Sequence, residues 1–319
     1  TYGLTKNGNG TLTLTGTNTF GGNFNINAGS VIITSTAALG AATDNVTINT
    51  GGFLDVQAGS TNAYPTGMNG GSMGNSSAVN ASYGGALTLQ ADTQFNIGST
   101  GILTLSGPIS GAYGITKTGS ATSTLTLGAA NSYSGNTTIS TGTLSLATNG
   151  DFGTSPQIIN NGTLSYFRTN SYTITAPISG TGGLTMPNMN STLTLAGANT
   201  FTGPINMNGV ANNRLTVTGS LSPLVALSIS NGSAGDYVDF SSQTSPVTLA
   251  SLTGSGSGNY ITLGSGGLII SGGTTTYLGW LQGSGPLTIN GNLTMTSLNS
   301  VVNTIPITIG NTGSLTISG

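Results

Sequence analysis

Short runs of alternating apolar and polar residues recur along the whole chain. No stretch shows the helical period of about 3.6 residues. Alternation buries one face of a strand and leaves the other wet, and Gly or Asn follows the runs, where tight turns need positive φ. The pattern therefore predicts short strands joined by tight turns. Examples are Val46-Thr47-Ile48, Leu87-Thr88-Leu89, Leu103-Thr104-Leu105, Leu144-Ser145-Leu146, Leu215-Thr216-Val217 and Leu287-Thr288-Ile289.

One longer phrase of this pattern occurs three times. It reads Gly-Leu/Ile-Thr, then Thr-Leu-Thr-Leu, then Asn-Thr/Ser-Phe/Tyr, and a Gly and an Ile follow; the copies begin at Gly3, Gly114 and Gly183. Tandem units of this kind can stack so that each covers its neighbours over a continuous narrow core. The repetition favours an all-β, parallel β-helix with roughly 20 residues per coil. The strand pattern alone leaves an antiparallel sandwich open.

The domain prediction is a single β-helical repeat domain over residues 1–319. One stretch departs from its rhythm, because residues 60–83 are rich in Gly, Asn, Ser and Met and show no clear alternation. Such a composition is typical of a loop. We therefore expect residues 60–83 to protrude from the solenoid.

Composition removes several classes of function. Charged residues make up 3% of the chain, with four Lys or Arg and six Asp, against about 25% in ordinary domains. Four scattered cations cannot neutralise a nucleic-acid backbone, and no apolar run approaches the ~18 residues of a membrane span. We therefore predict neither nucleic-acid binding nor membrane insertion by this segment.

The residues that usually perform catalysis are scarce. His, Cys and Glu are absent, which removes nucleophilic triads and the usual zinc ligands. Asp236 and Asp239 are the only close carboxylate pair and so the weak candidates for a metal or catalytic site. Residues three apart on a strand point to opposite faces, so we expect two solvated loop aspartates instead. The prediction is a non-enzymatic protein without a cofactor.

Three further residues have structural interpretations. Lys6 and Lys117 occupy equivalent positions in two repeats, which favours a solvated or turn-capping lysine at a fixed corner. Trp280 is expected in the core, with contact to a sugar or a neighbouring subunit as the alternative.

The repeats resemble the autotransporter-associated β-strand repeat of bacterial surface proteins. The resemblance is close at residues 3–33 and 114–146 and partial at 183–217, where Met186-Pro187 replaces the Lys of the phrase and its neighbour. It implies a right-handed parallel β-helix, secretion and a location on the bacterial cell surface. The C-terminal membrane barrel of autotransporters has no counterpart in this sequence, which leaves the secretion route open.

The two ends of the chain fall at adjacent points of one repeat phrase. Residues 309–319 align with 97–107, and the internal copy then continues, after four residues, into a phrase like the one that starts the chain. A β-helix end exposes unpaired strands and an open core, which solenoids normally cap. We therefore hypothesise that such units continue or associate end to end, through Thr1, Tyr2, Gly3, Leu4, Leu315, Ile317 and Gly319.

Three functions follow from these observations. The first is a structural segment or subunit of an extracellular bacterial fibre or surface assembly, with another copy of the chain as its partner. The second is an adhesin that contacts a host or a polysaccharide through the 60–83 loop or an exposed aromatic row. The third is an ice-binding β-helix, because the phrase Thr11-x-Thr13 and its copies could present threonine pairs, although Thr is also a good strand former.

Overall fold

The chain forms two compact units, residues 1–163 and 164–319, in a computed structural model. The structure describes residues 2–40, 45–60, 64–147, 149–187, 190–209, 212–230, 235–295 and 305–317. Among these residues, no helix is long and apolar enough to cross a membrane. Each unit is described separately below, and the single domain over residues 1–319 stays a prediction.

Unit 1, residues 1–163, is built from short strands that run from one rung to the next. They are β1 (Leu4–Lys6), β2 (Thr11–Leu14), β3 (Phe24–Ile26), β4 (Gly29–Ile33), β5 (Val46–Asn49), β6 (Gly52–Val56), β7 (Gly59–Ser60), β8 (Thr66–Asn69), β9 (Ser72–Asn75), β10 (Ala81–Tyr83), β11 (Leu87–Leu89), β12 (Thr93–Ile97), β13 (Ile102–Leu105), β14 (Ile109–Gly111), β15 (Ile115–Gly119), β16 (Thr124–Leu127), β17 (Thr137–Ile139), β18 (Thr143–Leu146) and β19 (Ile158–Asn160).

These strands form three sheets. Sheet 1 has the order β1-β3-β5-β8-β11-β14, sheet 2 the order β2-β4-β6-β9-β12-β15-β17-β19, and sheet 3 the order β7-β10-β13-β16-β18. Strands that neighbour each other in space belong to successive coils, so the chain winds through the sheets in turn. This winding is the topology of a β-solenoid.

Unit 2, residues 164–319, follows the same plan. Its strands are β20 (Thr163–Tyr166), which begins at the unit boundary, β21 (Tyr172–Ile174), β22 (Ile178–Ser179), β23 (Gly183–Pro187), β24 (Thr192–Leu195), β25 (Ile205–Asn208), β26 (Arg214–Val217), β27 (Ala226–Ile229), β28 (Tyr237–Phe240), β29 (Val247–Leu249), β30 (Ser251–Gly254), β31 (Tyr260–Leu263), β32 (Leu268–Ile270), β33 (Thr274–Tyr277), β34 (Trp280–Gly283), β35 (Leu287–Ile289), β36 (Asn292–Met295), β37 (Ile307–Ile309) and β38 (Ser314–Ile317).

Three sheets are again present. Sheet 4 has the order β21-β24-β26-β28-β31-β34, sheet 5 contains β23-β25-β27-β30-β33-β36-β38, and sheet 6 has the order β29-β32-β35-β37. The separation between ladder partners is the coil length. It ranges from 18 residues, Thr274 to Asn292, to 25 residues, Ala226 to Ser251.

Inward-pointing side chains stack from rung to rung and make the core. In sheet 3, Leu103, Leu125 and Leu144 are ladder partners, and each is fully buried. Sheet 4 has the corresponding column Leu193, Leu215, Val238, Ile261 and Leu281. Burying one such side chain contributes about 1.5–3 kcal/mol. The ladder pairings between these strands are parallel, which confirms the parallel β-helix and eliminates the antiparallel sandwich.

The loop predicted at residues 60–83 is the clearest correction. Residues 61–63 lie outside the described part, but β8, β9 and β10 place most of the remaining stretch in the three sheets of unit 1. Met68, Met73 and Tyr83 occupy inward positions and are fully buried. Met fills core positions that Leu, Ile or Val fill elsewhere, which is why the alternation was not visible.

Side-chain amides link successive coils on the outside of unit 1. Asn27 donates to Asn7, Asn49 to Asn27 and Asn69 to Asn49, each at 2.8 Å between Nδ2 and Oδ1. Each inner carboxamide both donates and accepts, which satisfies its polar atoms along the direction of stacking. The ladder explains why Asn recurs about one coil apart at a corner.

The recurring Asn of the repeat phrase has a related role. Asn199 accepts a hydrogen bond from the Ile178 amide at 3.1 Å and donates to the carbonyls of Gly197 and Ser220 at 2.8 and 3.1 Å. Asn131, its equivalent, accepts from the Ile109 amide and donates to the Asp151 carbonyl. Each of these side chains therefore bonds to the main chain of the coils on both sides of its own.

Candidate binding face on unit 2

An outward column of large side chains crosses four consecutive strands of sheet 4. Arg214 on β26 pairs with Tyr237 on β28, Tyr237 with Tyr260 on β31, and Tyr260 with Trp280 on β34. The odd–even alternation of each strand puts these residues outside while Leu215, Val238, Ile261 and Leu281 point into the core. We call Arg214, Tyr237, Tyr260 and Trp280 the aromatic row.

The members of the row contact each other. The Arg214 guanidinium carbon lies 4.2 Å from the centre of the Tyr237 ring. The Tyr237 and Tyr260 ring centres are 4.5 Å apart, with planes inclined at 32°. Trp280 donates its indole N–H to the Ser257 carbonyl at 2.9 Å. Ring stacking and the cation–π contact each contribute about 0.5–1.5 kcal/mol and limit the movement of the side chains.

The position of Trp280 corrects the expectation that it lies in the core. Its side chain is 47% exposed, and Tyr260 beside it is 36% exposed. In the segment from Tyr277 to Leu281, both end residues are buried, and an alternation counted through the segment does not place Trp280 outside. A corner at Gly279 separates β33 from β34 and restarts the alternation. The alternative interpretation, a surface contact, is the one the geometry allows.

A salt bridge fixes the start of the row. Arg214 Nη2 and Asp239 Oδ2 are 2.6 Å apart, and Asp239 Oδ1 accepts the Ser241 amide at 2.9 Å. Burial alone would raise the pKa of the Asp239 carboxyl, but the hydrogen bonds from Ser241 and Arg214 outweigh it and lower the pKa. Asp239 therefore remains ionised in mild acid, and it balances the charge of Arg214.

A second column lies directly beneath the row. Asn213, Asp236 and Asn259 each precede a row residue in sequence, and each is at most 1% exposed. Asp236 accepts the Asn213 amide at 2.8 Å, and Asn259 accepts the Asp236 amide at 3.0 Å. We call Asn213, Asp236 and Asn259 the inner polar ladder. It joins the starts of β26, β28 and β31 and so sets the spacing of the residues that follow them.

Two grooves border the row. The first runs along the strand starts and is lined by Thr169, Asn170, Ser171, Asn190, Ser191, Thr192, Asn212, Asn213, Arg214, Gly235, Tyr237 and Tyr260. The second is lined by Gly258, Tyr260, Trp280 and Gln282. Tyr260 borders both grooves, so they adjoin at its ring. Their described linings consist of amides, hydroxyls, aromatic rings, glycines and one guanidinium.

The aspartate candidates have structural partners. The sequence analysis treated Asp236 and Asp239 as solvated loop residues, whereas both are buried, at 0% and 7% exposed. Asp236 begins the turn into β28 and belongs to the inner polar ladder; Asp239 points outward and pairs with Arg214. Because their carboxylates serve separate partners, the geometry does not support shared acid–base work.

The other described aspartates also accept main-chain amides, while Asp44 lies outside the described residues. The pairs are Asp55 with the Ser76 amide at 2.9 Å, Asp92 with the Gly114 amide at 2.8 Å, and Asp151 with the Asn131 amide at 2.8 Å.

The repeat lysines cap a corner, as predicted. Lys6 donates to the carbonyls of Gly8 and Ala28 at 2.6 and 2.9 Å. Lys117 donates to the Thr118 carbonyl and the Ser123 hydroxyl, both at 2.9 Å. Lys117 differs from the prediction in one respect, because it is fully buried, and burial lowers its pKa to about 8.

The threonine pairs of the repeats do not stack together. Thr11 and Thr13 on β2 have Ser30 and Ile32 as ladder partners. The second copy of the phrase lies on β16, in sheet 3 instead of sheet 2. The described strands therefore do not join the two pairs into one flat array, and no geometry favours the ice-binding alternative.

The predicted association residues lie at the terminal rungs, except that Thr1 and Gly319 fall outside the described residues. Tyr2 is 92% exposed and Ile317 is 40% exposed. Leu4 and Leu315 are half-buried, whereas Leu293, the ladder partner of Leu315, is 1% exposed. These side chains thus lack part of the cover that interior rungs have.

Comparison with known proteins supports the repeat assignment. The family model of the passenger-associated-transport-repeat matches residues 4–33, 115–146 and 190–209. One similar protein is the "Adhesin BmaC autotransporter" of Brucella suis biovar 1 (strain 1330), 36% identical over 99 residues, which are 30% of this chain and 3% of that protein. The chain thus spans a small part of this relative. No solved structure gives a significant match. The predicted resemblance is confirmed: the chain carries autotransporter passenger repeats.

Proposed function

We propose that this chain, with its passenger repeats, is a segment of an adhesin-like passenger on a bacterial surface. Its β-solenoid acts as a rigid support, and the binding face of unit 2 makes the contact. The aromatic row carries this proposal, because four large side chains are exposed together on strands whose opposite face is fully buried. Aromatic residues and Arg are the residue types most enriched at the centres of binding surfaces.

The same reasoning supports a role without catalysis. The described aspartates accept main-chain amides and serve the solenoid, and the exposed row carries no nucleophile paired with a base. The similarity to the Brucella protein named as an adhesin supports contact as the function, and the passenger repeats support a secreted, cell-surface location.

Display on a cell tests the proposal. The chain, fused to an outer-membrane anchor, is expected to raise the adherence of a non-adherent bacterium to host-cell monolayers or to polysaccharide-coated surfaces several-fold over the anchor alone. Surface exposure and folding are verified by antibody labelling and protease resistance. A displayed, folded chain with no gain on either surface contradicts the proposal.

We further propose that successive units cover each other's terminal rungs, which would give the surface protein fibre-like continuity. The support is the half-buried state of Leu4 and Leu315 and the outer edges of β1 and β38, which have no strand partner among the described residues. Apolar side chains and unpaired strand edges favour the addition of another rung. The covering rung comes either from the same polypeptide or from a second copy.

Self-association of the purified chain tests the version with a second copy. We expect concentration-dependent end-to-end oligomers by light scattering and electron microscopy. Leu12→Asp, on an inward position of β2 in the first rung, should abolish them, because it places a charge at the open core. Thr13→Asp adds the same charge to the exposed outer face of that strand and should leave association unchanged. A monomer at all concentrations, or equal effects of both substitutions, contradicts association between copies.

A further inference from the structure

We propose that the two grooves beside the aromatic row bind a neutral polysaccharide, laid across the rungs of unit 2 from β21 to β34. The inference rests on the proposed function and names the ligand class of its binding face. The grooves adjoin at Tyr260, so one extended chain can follow both. At about 4.8 Å per rung, the five steps of this sheet span about 24 Å, which suits an oligosaccharide stretch better than a single sugar.

The groove lining matches the chemistry of a sugar chain. Carboxamides of Asn and Gln and hydroxyls of Ser, Thr and Tyr can both donate and accept hydrogen bonds, as sugar hydroxyls do. The rings of Tyr260 and Trp280 add exposed apolar surface with a polar edge, suited to the C–H faces of a sugar. The described linings contain no Leu, Ile, Val, Met or Phe. A protein partner would favour an apolar centre instead.

The charge balance favours a neutral ligand. Among the described groove residues, Arg214 is the one that carries a charge, and Asp239 pairs with it at 2.6 Å. Recognition of an acidic polysaccharide would need cations available for its carboxylates or sulfates. Here the guanidinium is already held by a carboxylate and by the Tyr237 ring.

The face is also preorganised. The inner polar ladder ties the strand starts together from rung to rung, and the rings of Tyr237 and Tyr260 already stack. Side chains held in this way lose little further conformational freedom when a ligand binds, which lowers the entropic cost of binding. A long, weakly sticky ligand gains most from such a repeated, rigid surface.

The single tryptophan of the chain is Trp280, so its fluorescence reports directly on the face. We expect neutral soluble polysaccharides, tested as glucomannan, hydroxyethylcellulose and yeast mannan, to include at least one that shifts Trp280 emission and retards the chain in affinity gels. Tyr260→Thr should weaken that binding about tenfold or more. Threonine suits the site, because Thr192 occupies the same outward column of sheet 4. Tyr113→Thr, at a 43% exposed tyrosine of unit 1, is the matched control and should bind like the parent.

Four outcomes overturn the inference. They are no binding to any of the three neutral polysaccharides, binding to alginate or heparin alone, a Tyr260→Thr variant that is folded and binds like the parent, and equal losses in Tyr260→Thr and Tyr113→Thr. Circular dichroism and the unfolding transition establish that each variant is folded.

The adherence assay separates this inference from the proposed function. If the displayed parent and the displayed Tyr260→Thr variant adhere equally well, the adhesin proposal stands and the polysaccharide site is wrong. If the purified parent binds a neutral polysaccharide through Tyr260 but its display gives no adherence, the site stands and the adhesin proposal is wrong.

Discussion

Replacing Gly135 with Ala is expected to destabilise unit 1 by about 3 kcal/mol, near the upper end of the usual cost of overpacking. Gly135 follows the Asn-Ser-Tyr part of the second repeat, and its φ lies in the ordinary range, so the cost is purely steric. A Cβ at this position would overlap the main chain of Tyr113 and Gly114 in the preceding coil. Main-chain atoms in a hydrogen-bonded ladder cannot move aside without breaking neighbouring bonds.

Gly16→Ala is the matched control. Gly16 lies in the first repeat, and a Cβ there would meet no atom within 4 Å. Its substitution should change the free energy of unfolding by less than about 0.5 kcal/mol, measured for both variants by urea denaturation under identical conditions. Equal stabilities of Gly135→Ala and the parent chain would show that the coils are not in the close contact described here.

The same contact explains why the repeat phrase contains two glycines. A Cβ on Gly22 would lie 2.7 Å from the Gly3 amide nitrogen, and one on Gly203 would lie 2.7 Å from the Gly183 amide nitrogen. In each repeat, the glycine at the start of the phrase thus faces the later glycine across adjacent coils. The phrase specifies a corner at which two main chains meet without side chains.

The parallel solenoid could be predicted from the sequence because its signal is repeated many times. Each strand needs only a few alternating residues, and stacking identical phrases places like residues in contact. Residues 60–83 were predicted wrongly because Met68 and Met73 fill the core where the pattern calls for branched aliphatic residues. Packing with the adjacent coils, which a local pattern does not record, decides that these residues form strands.

The binding face was less accessible to sequence reasoning. An exposed aromatic row was among the alternatives, but its members are spaced 20 to 23 residues apart, from Arg214 to Tyr237, Tyr260 and Trp280. Only the strand register shows that they form one column. The phase of Trp280 depends on the corner at Gly279, and coil lengths vary too much for such corners to be counted from the sequence.

The buried lysine is another feature that composition conceals. Lys117 lies at an inward position of β15, where its ladder partners are Phe95 and Ile139. Its aliphatic stem lines the core, and its ammonium group reaches the Thr118 carbonyl and Ser123 hydroxyl at 2.9 Å and the Thr141 carbonyl at 3.3 Å. In the third repeat, Met186 has the corresponding place and is also fully buried. The chain itself therefore shows that an uncharged side chain fits this corner.

We expect Lys117→Met to fold and to be at least as stable as the parent near neutral pH. Replacing a buried charge by an apolar group of similar shape is often neutral or stabilising. Lys117→Asp should instead lose about 3–5 kcal/mol, because it buries a carboxylate against carbonyl oxygens with no cation to pair with. Urea denaturation followed by circular dichroism measures both, and a Lys117→Met variant as damaged as Lys117→Asp would contradict this account.

The stability difference between the parent and Lys117→Met should also depend on pH. Burial lowers the pKa of Lys117 from 10.5 to about 8 in the folded chain, so between these values the unfolded chain binds more protons than the folded one. Stability of the parent relative to Lys117→Met therefore rises with pH across that window, by up to about 1.4 kcal/mol per pH unit. Tyr83 and Tyr277, whose pKa values burial raises, are present in both proteins, so their contributions cancel in the difference. A constant difference between pH 8 and 10.5 would show that the ammonium group is solvated instead of buried.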